Sequence, residues 1–173
     1  MERRNFIKYT AAAGASLMLH PFESFALQPG GKIKLAMVGT GHRGSSLWGK
    51  TLVTSFADVV EFVGLCDINP GRLETAKRIM GVSCKTYSKF ADMVKEAKPD
   101  YVIVTTVDST HDDFIVQALN LGVNVITEKP MTTDEVKCKR ILDAEKKSGK
   151  KVTVAFNYRH SVHNMQVKEL LAN

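Results

Sequence analysis

Short apolar segments alternate with amphipathic segments along most of the chain. Each apolar segment is rich in aliphatic and β-branched residues, which is typical of strands buried on both faces of a parallel sheet. The predicted strands are Ile33–Val38, Val59–Leu65, Tyr101–Thr105, Val123–Thr127 and Val152–Phe156, with Cys84–Ser88 as a further short candidate. Because helical patterns separate the strands, the sequence predicts a doubly wound parallel α/β domain.

The segments between the strands carry apolar residues three and four positions apart, as amphipathic helices do. Four such stripes are predicted: Leu73, Ala76 and Met80; Phe90, Met93, Val94 and Ala97; Phe114, Ile115, Ala118 and Leu119; and Cys138, Ile141 and Leu142. The boundary residues agree with these helices. Asn69-Pro70 predicts an N-cap followed by a first-turn proline, Thr132 with Glu135 predicts a capping box, and Gly122 predicts a helix end.

The composition is that of a folded globular domain, with 44% hydrophobic and 24% charged residues, which excludes a disordered tail. Three cysteines are too few for a disulfide scaffold; Cys66 and Cys84 could pair in an oxidising compartment, but free buried thiols are equally expected. No apolar stretch reaches the ~18 residues of a membrane span, so we expect no membrane anchor. The net charge of +6 includes a basic run between Lys137 and Lys151. Because no nucleic-acid motif accompanies it, we interpret it as a solvated helix face and expect no nucleic-acid partner.

Residues 1–29 have the layout of an export signal, and residues 30–173 are predicted to form the folded domain. The paired arginines Arg3-Arg4 precede a weakly apolar run, Thr10–Leu19, and Ser24-Phe25-Ala26 offers small residues for a signal peptidase. The layout resembles a twin-arginine signal and predicts a periplasmic protein that is exported folded, with its cofactor bound. The alternatives are an amphipathic N-terminal helix on the mature protein and a chance pair of arginines; without a functional leader the protein is expected to be cytoplasmic.

The strongest chemical motif is the glycine-rich segment Gly39-Thr40-Gly41-His42-Arg43-Gly44. It directly follows the predicted strand Ile33–Val38 and opens a helical segment. The next strand ends beside Asp67, 23 residues after Gly44. Strand, glycine-rich turn, helix and acid in this order are the fingerprint of a dinucleotide-binding Rossmann domain.

Each part of this motif has a predicted role in binding the dinucleotide. Gly39 permits the tight turn, Gly41 lets the backbone approach the pyrophosphate, and Gly44 lets helix and strand pack closely. The backbone at His42 and Arg43 belongs to the helix N-terminus that would bind the phosphates. Asp67 would accept hydrogen bonds from the adenosine ribose and so favours NAD. Arg72 keeps NADP as an alternative, because an arginine there can pair with a 2′-phosphate or stack on the adenine.

Two further polar segments follow the predicted strands Tyr101–Thr105 and Val123–Thr127. Thr105 and Thr106 begin a segment that ends at His111, and Glu128-Lys129-Pro130 follows the second of these strands. Ligands of open α/β sheets bind outside the carboxyl ends of the strands, so both segments should face the cofactor. A lysine there, beside a carboxylate, is suited to exchange a proton with a substrate hydroxyl or carbonyl group.

Together with Phe156-Asn157-Tyr158-Arg159, these motifs resemble the glucose–fructose oxidoreductase/inositol dehydrogenase (Gfo/Idh/MocA) family. The resemblance covers Lys32 to Asn173, and the motifs occur in the family's order. It implies that Lys129 is the catalytic lysine, that its bond to Pro130 is cis, and that Glu128 contacts the nicotinamide ribose.

The resemblance assigns the remaining candidates as well. It implies that Thr105, Thr106 and His111 belong to the loop that passes the nicotinamide ribose. Asn157 and Arg159 match the segment that leads towards the substrate. Asp108 stands where the family more often has Pro-Asn, so a contact at that position is not carried over.

By resemblance, the expected activity is hydride transfer between a nicotinamide cofactor and a sugar, cyclitol or sugar derivative, with Lys129 relaying the hydroxyl proton. The family's C-terminal α+β domain, with its further catalytic groups, substrate pocket and oligomer interface, is absent from these 173 residues. We therefore expect a fragment of a homo-oligomeric enzyme, or a truncated product, that is inactive alone. The alternatives are a non-catalytic dinucleotide-binding module and a relative of the NAD-dependent glycosidases, which generally lack Glu-Lys-Pro.

Two groups of side chains resemble metal ligands. The segment Asp108–Asp113 contains three aspartates and one histidine, but Ser109 or Thr110 is expected to cap a helix whose first turn holds the acids. His160 and His163 lie three residues apart without a carboxylate or cysteine to complete a zinc site. We expect no metal.

Overall fold

The computed structural model describes residues 31–172, and the predicted export signal at residues 1–29 lies outside them. Six parallel strands form one sheet in the order β3-β2-β1-β4-β5-β6. They are β1 (Ile33–Val38), β2 (Val60–Cys66), β3 (Lys85–Tyr87), β4 (Tyr101–Val104), β5 (Asn124–Glu128) and β6 (Val152–Ala155). The predicted strands are confirmed within one residue at each end, including the short third strand.

A helix follows every strand. Helix α1 is π-helical over Arg43–Lys50 and α-helical over Thr51–Ser55. The others are α2 (Pro70–Met80), α3 (Phe90–Ala97), α4 (His111–Asn120), α5 (Glu135–Ser148) and α6 (Val162–Ala172). Short 3₁₀ turns at Asp108–Thr110 and Asn157–His160 precede α4 and α6. The predicted doubly wound α/β fold is confirmed.

The two faces of the sheet have separate cores. Leu35 and Met37 of β1 pack on the face that carries α1 and α2. Ala36 and Val38 point to the other face, which carries α3, α4 and α5. All four residues are at most 4% exposed, because helices cover this part of the strand on both faces of the sheet. The direction of winding reverses between β1 and β4, the place where open α/β sheets bind ligands.

One predicted helix cap is confirmed and another is wrong. The Asn69 side chain accepts hydrogen bonds from the N–H groups of Gly71 and Arg72 and caps α2. The predicted capping box of Thr132 with Glu135 does not form, because α5 begins two residues later. Asp134 is its N-cap and accepts a hydrogen bond from the Lys137 N–H at 2.9 Å. Both residue types cap helices well, so their spacing alone could not decide between them.

The predicted apolar stripe of α5 is also partly wrong. Ile141 and Ala144 are buried, whereas Leu142 is 53% exposed and Cys138 is only half-buried. The helix presents a different face to the sheet from the one that local periodicity suggested. Within residues 31–172, no helix combines the length and the apolar character that crossing a membrane requires.

The three cysteines have free thiols. In the pairing of β2 with β3, Cys66 lies opposite Tyr87, three residues beyond Cys84. That offset is roughly 10 Å along a strand, which is too far for a disulfide. Burial, and then the nearby Asp67 charge, raise the pKa of the Cys66 thiol to about 11.

Candidate functional site

The glycine-rich turn joins β1 to α1 and is hydrogen-bonded to residues at the carboxyl ends of both neighbouring strands, β2 and β4. The N–H of Gly39 donates to the Cys66 carbonyl at 2.9 Å, and the Thr105 hydroxyl donates to the Gly39 carbonyl at 2.6 Å. Gly39 has φ +87°, and a Cβ there would lie 2.6 Å from the Thr105 backbone. The turn therefore requires glycine at this position for both its conformation and its contacts.

The other two glycines of the turn differ from each other. A Cβ on Gly44 would overlap the Gly39 carbonyl oxygen and would lie 2.7 Å from the Thr105 hydroxyl. A Cβ on Gly41 would have no atom within 4 Å. Packing therefore explains Gly39 and Gly44, but it does not explain Gly41. The open space beside Gly41 is the room that a pyrophosphate needs to approach a backbone.

Asp67 is buried and hydrogen-bonded to the turn. Its Oδ2 accepts from the N–H of Thr40 at 2.8 Å and from the Thr40 hydroxyl at 3.1 Å, and its Oδ1 accepts from the N–H of Asn69 at 2.9 Å. A carboxylate offers about four acceptor positions, so roughly one stays available to a ribose hydroxyl. The predicted contact with the adenosine ribose stays a prediction.

A cavity of about 540 Å³ lies between the turn and α2. Gly41 and His42 line one side of it, and Asn69 and Arg72 line the other. Among the described residues that form its wall there is no carboxylate, whereas an imidazole, a guanidinium and backbone N–H groups are present. This electrostatic character suits an anionic ligand such as a phosphate.

His111 joins the loops that follow β4 and β5. Its ring is fully buried, with Nδ1 3.0 Å from the Pro130 carbonyl oxygen and Nε2 3.2 Å from the Thr106 carbonyl oxygen. Thr106 and His111, which were predicted to share a loop, are thus brought against the Glu-Lys-Pro segment. His111 thus connects the backbones of the two loops, and its predicted place beside the nicotinamide ribose stays a prediction.

Glu128 is the most heavily hydrogen-bonded side chain among the candidates. Arg43 donates to it twice, from Nε at 2.9 Å and from Nη2 at 3.2 Å. Trp48 Nε1 donates at 2.7 Å, and the N–H of Lys129 donates at 3.2 Å. Burial alone would raise the pKa of this carboxyl, but the hydrogen bonds from Arg43 and Trp48, together with the Arg43 charge, outweigh burial and lower the pKa.

Lys129 follows Glu128 at the carboxyl end of β5, with its side chain exposed and its bond to Pro130 cis as expected. Asn157 and Arg159 follow β6, whose Ala155 pairs with Glu128, so they belong to the same edge of the sheet. Both are exposed, and within residues 31–172 neither hydrogen-bonds to another candidate residue. The Arg159 guanidinium stacks 5.6 Å from the ring centre of Phe156.

Two aspartates near the start of α4 form ion pairs with basic side chains of α5. Asp112, 1% exposed, contacts Arg140 at 2.6 Å and Lys137 at 3.3 Å, and Asp113 contacts Arg140 at 2.7 Å. Both acids lie in the first turn of α4 as predicted, but the expected capping hydroxyl is wrong. Thr110 stands at the cap position, and its hydroxyl donates to the Val107 carbonyl instead. The part of the chain that the structure describes contains no cluster of three or more metal-ligating side chains.

Two hydrogen-bonding partners in the site, Thr40 and Trp48, were not predicted from the sequence. Thr40 was only the variable residue of the motif, yet it is the main partner of Asp67. Trp48 lies in the helix that was predicted to follow the turn, but its hydrogen bond to Glu128, 80 residues later, was not predicted. No local pattern signals these contacts, although a tryptophan N–H facing the sheet does require a buried acceptor.

A parallel sheet with this winding, a glycine-rich turn, an acid at the end of β2 and a donor-lined cavity define a dinucleotide-binding Rossmann domain. The family described as "Oxidoreductase family, NAD-binding Rossmann fold" (GFO_IDH_MocA) matches residues 33–156. The chain therefore belongs to the Gfo/Idh/MocA family.

Individual relatives agree with this assignment. YteT of Bacillus subtilis (strain 168) is 38% identical over 141 residues, covering 79% of this chain and 33% of YteT. Inositol 2-dehydrogenase of Salmonella typhimurium (strain LT2) is 31% identical over 140 residues, covering 80% and 41%. The structure of myo-inositol dehydrogenase from Lactobacillus casei in complex with NAD(H) and myo-inositol matches with a TM-score of 0.74 at 27% identity, covering 82% and 42%. The chain thus spans well under half the length of each.

Proposed function

We propose that this chain is the cofactor-binding part of an exported oxidoreductase that transfers hydride between a nicotinamide dinucleotide and a cyclitol, sugar or sugar derivative. The observation that carries the proposal is the contrast within the turn. Gly39 and Gly44 are required by packing, whereas Gly41 faces open space. A ligand that must approach the Gly41 backbone gives a reason for that glycine, and a pyrophosphate is such a ligand.

The dinucleotide proposed is NAD, with NADP as the alternative. The donors of the turn and the N-terminus of α1 would hold the pyrophosphate, and the free acceptor position of Asp67 would take a ribose hydroxyl. Arg72 and His42 in the cavity wall are the groups that would tolerate a 2′-phosphate. When bound, the nicotinamide supplies the hydride acceptor or donor for the reaction.

Lys129 is proposed to move the proton that accompanies the hydride. Its side chain is exposed at the carboxyl end of β5, the end of the sheet where open α/β domains bind their ligands, so a substrate hydroxyl would be able to reach it there. The name of the Lactobacillus casei relative, with NAD(H) and myo-inositol, supports a polyhydroxylated ring as substrate. The Glu-Lys-Pro segment supports plain oxidoreduction over glycoside cleavage.

The substrate pocket and the oligomer interface are proposed to come from additional protein. The relatives are more than twice as long as the matched region. On α6, Val162, Leu170 and Leu171 are 72, 78 and 82% exposed, which is typical of a surface that another domain covers. The twin-arginine-like residues Arg3-Arg4 support export to the periplasm.

The test uses the chain's single tryptophan, Trp48, which lies in the helix that begins at the turn. The 173-residue chain is titrated with NADH and with NADPH while Trp48 is excited and the nicotinamide emission is recorded. We expect saturable energy transfer, with tighter binding of NADH. Gly41→Ala is the control and should stay folded but lose the transfer. A folded wild-type chain that shows no saturable transfer with either dinucleotide would contradict the proposal.

The acid–base role of Lys129 needs a form of the protein that turns a substrate over. In that form, Lys129→Ala is expected to retain NADH binding and to lower turnover by ~10² or more, the usual effect of losing an acid–base group. Unchanged turnover would remove Lys129 from the mechanism.

A further inference from the structure

The carboxylate of Glu128 has no free acceptor position. Arg43 supplies two donors, Trp48 a third and the Lys129 N–H a fourth, which equals the capacity of a carboxylate. A ribose hydroxyl could bind Glu128 only by displacing one of them. Glu128 is thus placed to hold protein groups together, and a direct contact with the nicotinamide ribose is not needed to explain it.

The π-helical form of α1 explains how two of these donors reach the same side chain. Arg43 and Trp48 are five residues apart in the π-helical segment Arg43–Lys50. A regular α-helix would place residues i and i+5 about 140° apart around its axis. A helix with i→i+5 hydrogen bonds brings them to one side, and such turns occur frequently at functional sites. The helix geometry and the double donation to Glu128 are therefore the same feature.

We propose that Glu128 and Trp48 are positioning residues that couple the dinucleotide turn to the catalytic lysine. One end of the coupling is Arg43, which directly precedes Gly44 in the turn, and the other end is the backbone of Lys129. Occupation of the turn fixes α1, α1 fixes the Glu128 carboxylate, and the carboxylate fixes the Lys129 backbone. This inference rests on the proposed function of the turn as a dinucleotide site.

The hydrogen bonds from Arg43 and Trp48 hold the Glu128 carboxylate in one orientation. A two-point pairing between a guanidinium and a carboxylate restrains direction as well as distance. The Arg43 side chain is 42% exposed while that of Glu128 is 7% exposed, so the arginine is accessible to a ligand at the turn and is paired with a buried carboxylate. Trp48 adds a donor on a large, rigid ring that packs against the core beneath α1.

Two ligands that differ by one ribose separate positioning from direct contact. ADP lacks the nicotinamide ribose, and ADP-ribose contains it. If Glu128 acts through α1, Glu128→Gln should weaken both ligands equally, by about tenfold for a lost charged hydrogen-bond partner. If Glu128 binds the ribose directly, only ADP-ribose should weaken, and the inference is overturned. Glu96→Gln is the matched control, because Glu96 is also ion-paired but lies on the surface. It should change the affinity for neither ligand.

A spectroscopic readout tests the coupling itself. In the ¹⁵N-labelled wild-type chain, ADP is expected to shift the Trp48 indole N–H resonance and the backbone amide resonance of Lys129, although ADP has no group that reaches either by the proposed binding mode. Trp48→Phe keeps an aromatic ring and the Arg43–Glu128 pair but loses the N–H donor. It should bind ADP with a smaller response at Lys129, and it provides the test if Glu128→Gln does not fold.

The outcomes distinguish this inference from the proposed function. Wild-type chain that binds neither ADP nor ADP-ribose would contradict the dinucleotide site itself. Binding of ADP with no response at Lys129 would overturn the coupling alone. A response at Lys129 that is unchanged in Trp48→Phe would overturn the role of Trp48.

Discussion

Thr40 and Asp67 bind the glycine-rich turn to the end of β2. Both the backbone N–H and the hydroxyl of Thr40 donate to Asp67 Oδ2, at 2.8 and 3.1 Å, while Oδ1 accepts from the N–H of Asn69. Asp67 is 6% exposed. Asp67, which the spacing predicts as a ribose ligand, therefore shapes the turn, and this structural role can be measured separately from the proposed binding role.

Replacing Asp67 should affect both stability and cofactor preference. Asp67→Asn introduces an amide that cannot accept hydrogen bonds at both ends, so one of the Thr40 and Asn69 donors loses its partner. We expect the free energy of unfolding to fall by about 1–3 kcal/mol, the cost of an unpaired buried polar group. We also expect NADH affinity to fall more than NADPH affinity, because the negative charge that repels a 2′-phosphate is gone.

Urea unfolding and dinucleotide titration measure these two effects. Asp58→Asn, at an exposed turn before β2, is the control and should leave both quantities unchanged. An unaltered ratio of NADH to NADPH affinity in Asp67→Asn would remove the ribose role, even if the stability fell.

Gly39 and Gly41 of the turn are expected to show opposite phenotypes when each is replaced by alanine. Gly39→Ala places a Cβ 2.6 Å from the Thr105 backbone at a residue with φ +87°, so the turn must deform and stability should fall by several kcal/mol. Gly41→Ala places its Cβ in open space, so the free energy of unfolding should hold or rise slightly while dinucleotide binding is lost. Thermal unfolding followed by NADH titration separates the two. A Gly41→Ala chain that binds NADH like the wild type would show that the open space is not used.

Asp112 and Asp113 offer a matched pair for the contact between α4 and α5. Both lie in the first turn of α4 and both contact Arg140, but the Asp112 side chain is 1% exposed and that of Asp113 is 56% exposed. Asp112→Ala should destabilise the fold by about 2 kcal/mol, because it removes a buried carboxylate that contacts both Arg140 and Lys137. Asp113→Ala should cost less than about 1 kcal/mol, as exposed ion pairs do. Equal losses in urea unfolding would mean that helix-dipole effects, which the two acids share, decide the stability.

Local patterns were enough to predict the strands, the glycine-rich turn and the Asn69 cap. Each depends on residues close together in the chain, where periodicity and steric requirements act directly. The start of α5 was wrong because Thr132 and Asp134 both satisfy the chemistry of a cap, and only the packed structure chooses between them. The prediction that Leu142 is buried was wrong for the same reason, since tertiary contacts decide which face of a helix packs against the sheet.

The inner connections of the site could not be predicted from sequence. Glu128 lies 85 residues from Arg43 and 80 from Trp48, so no local period relates them. The motif indicated which elements would meet at the sheet edge, because parallel strands bring their carboxyl ends together. Which donor occupies which acceptor depends on the π-helical turn of α1, for which the sequence carries no recognised signal.

The ionisation of Glu128 predicts how the stability of the domain depends on pH. Its pKa in the folded chain is lowered from the ordinary value of 4.5, because the donors from Arg43 and Trp48 outweigh the effect of burial. A lowered pKa contributes stability that is fully present above 4.5 and is lost as the pH falls through the folded-state value. The difference in unfolding free energy between wild type and Glu128→Gln should therefore stay constant from pH about 7 to about 5 and shrink below pH 4.5. Trp48 emission should change in the same acidic range, since its N–H then faces a neutral carboxyl.

Glu96 provides the control for this pH dependence. The pKa of Glu96 is also lowered, by exposed Lys85, so Glu96→Gln should show a similar pH trend that salt screens away. A Glu128 effect that disappears equally in high salt would mean that the carboxylate is not held in the buried network that the structure gives it.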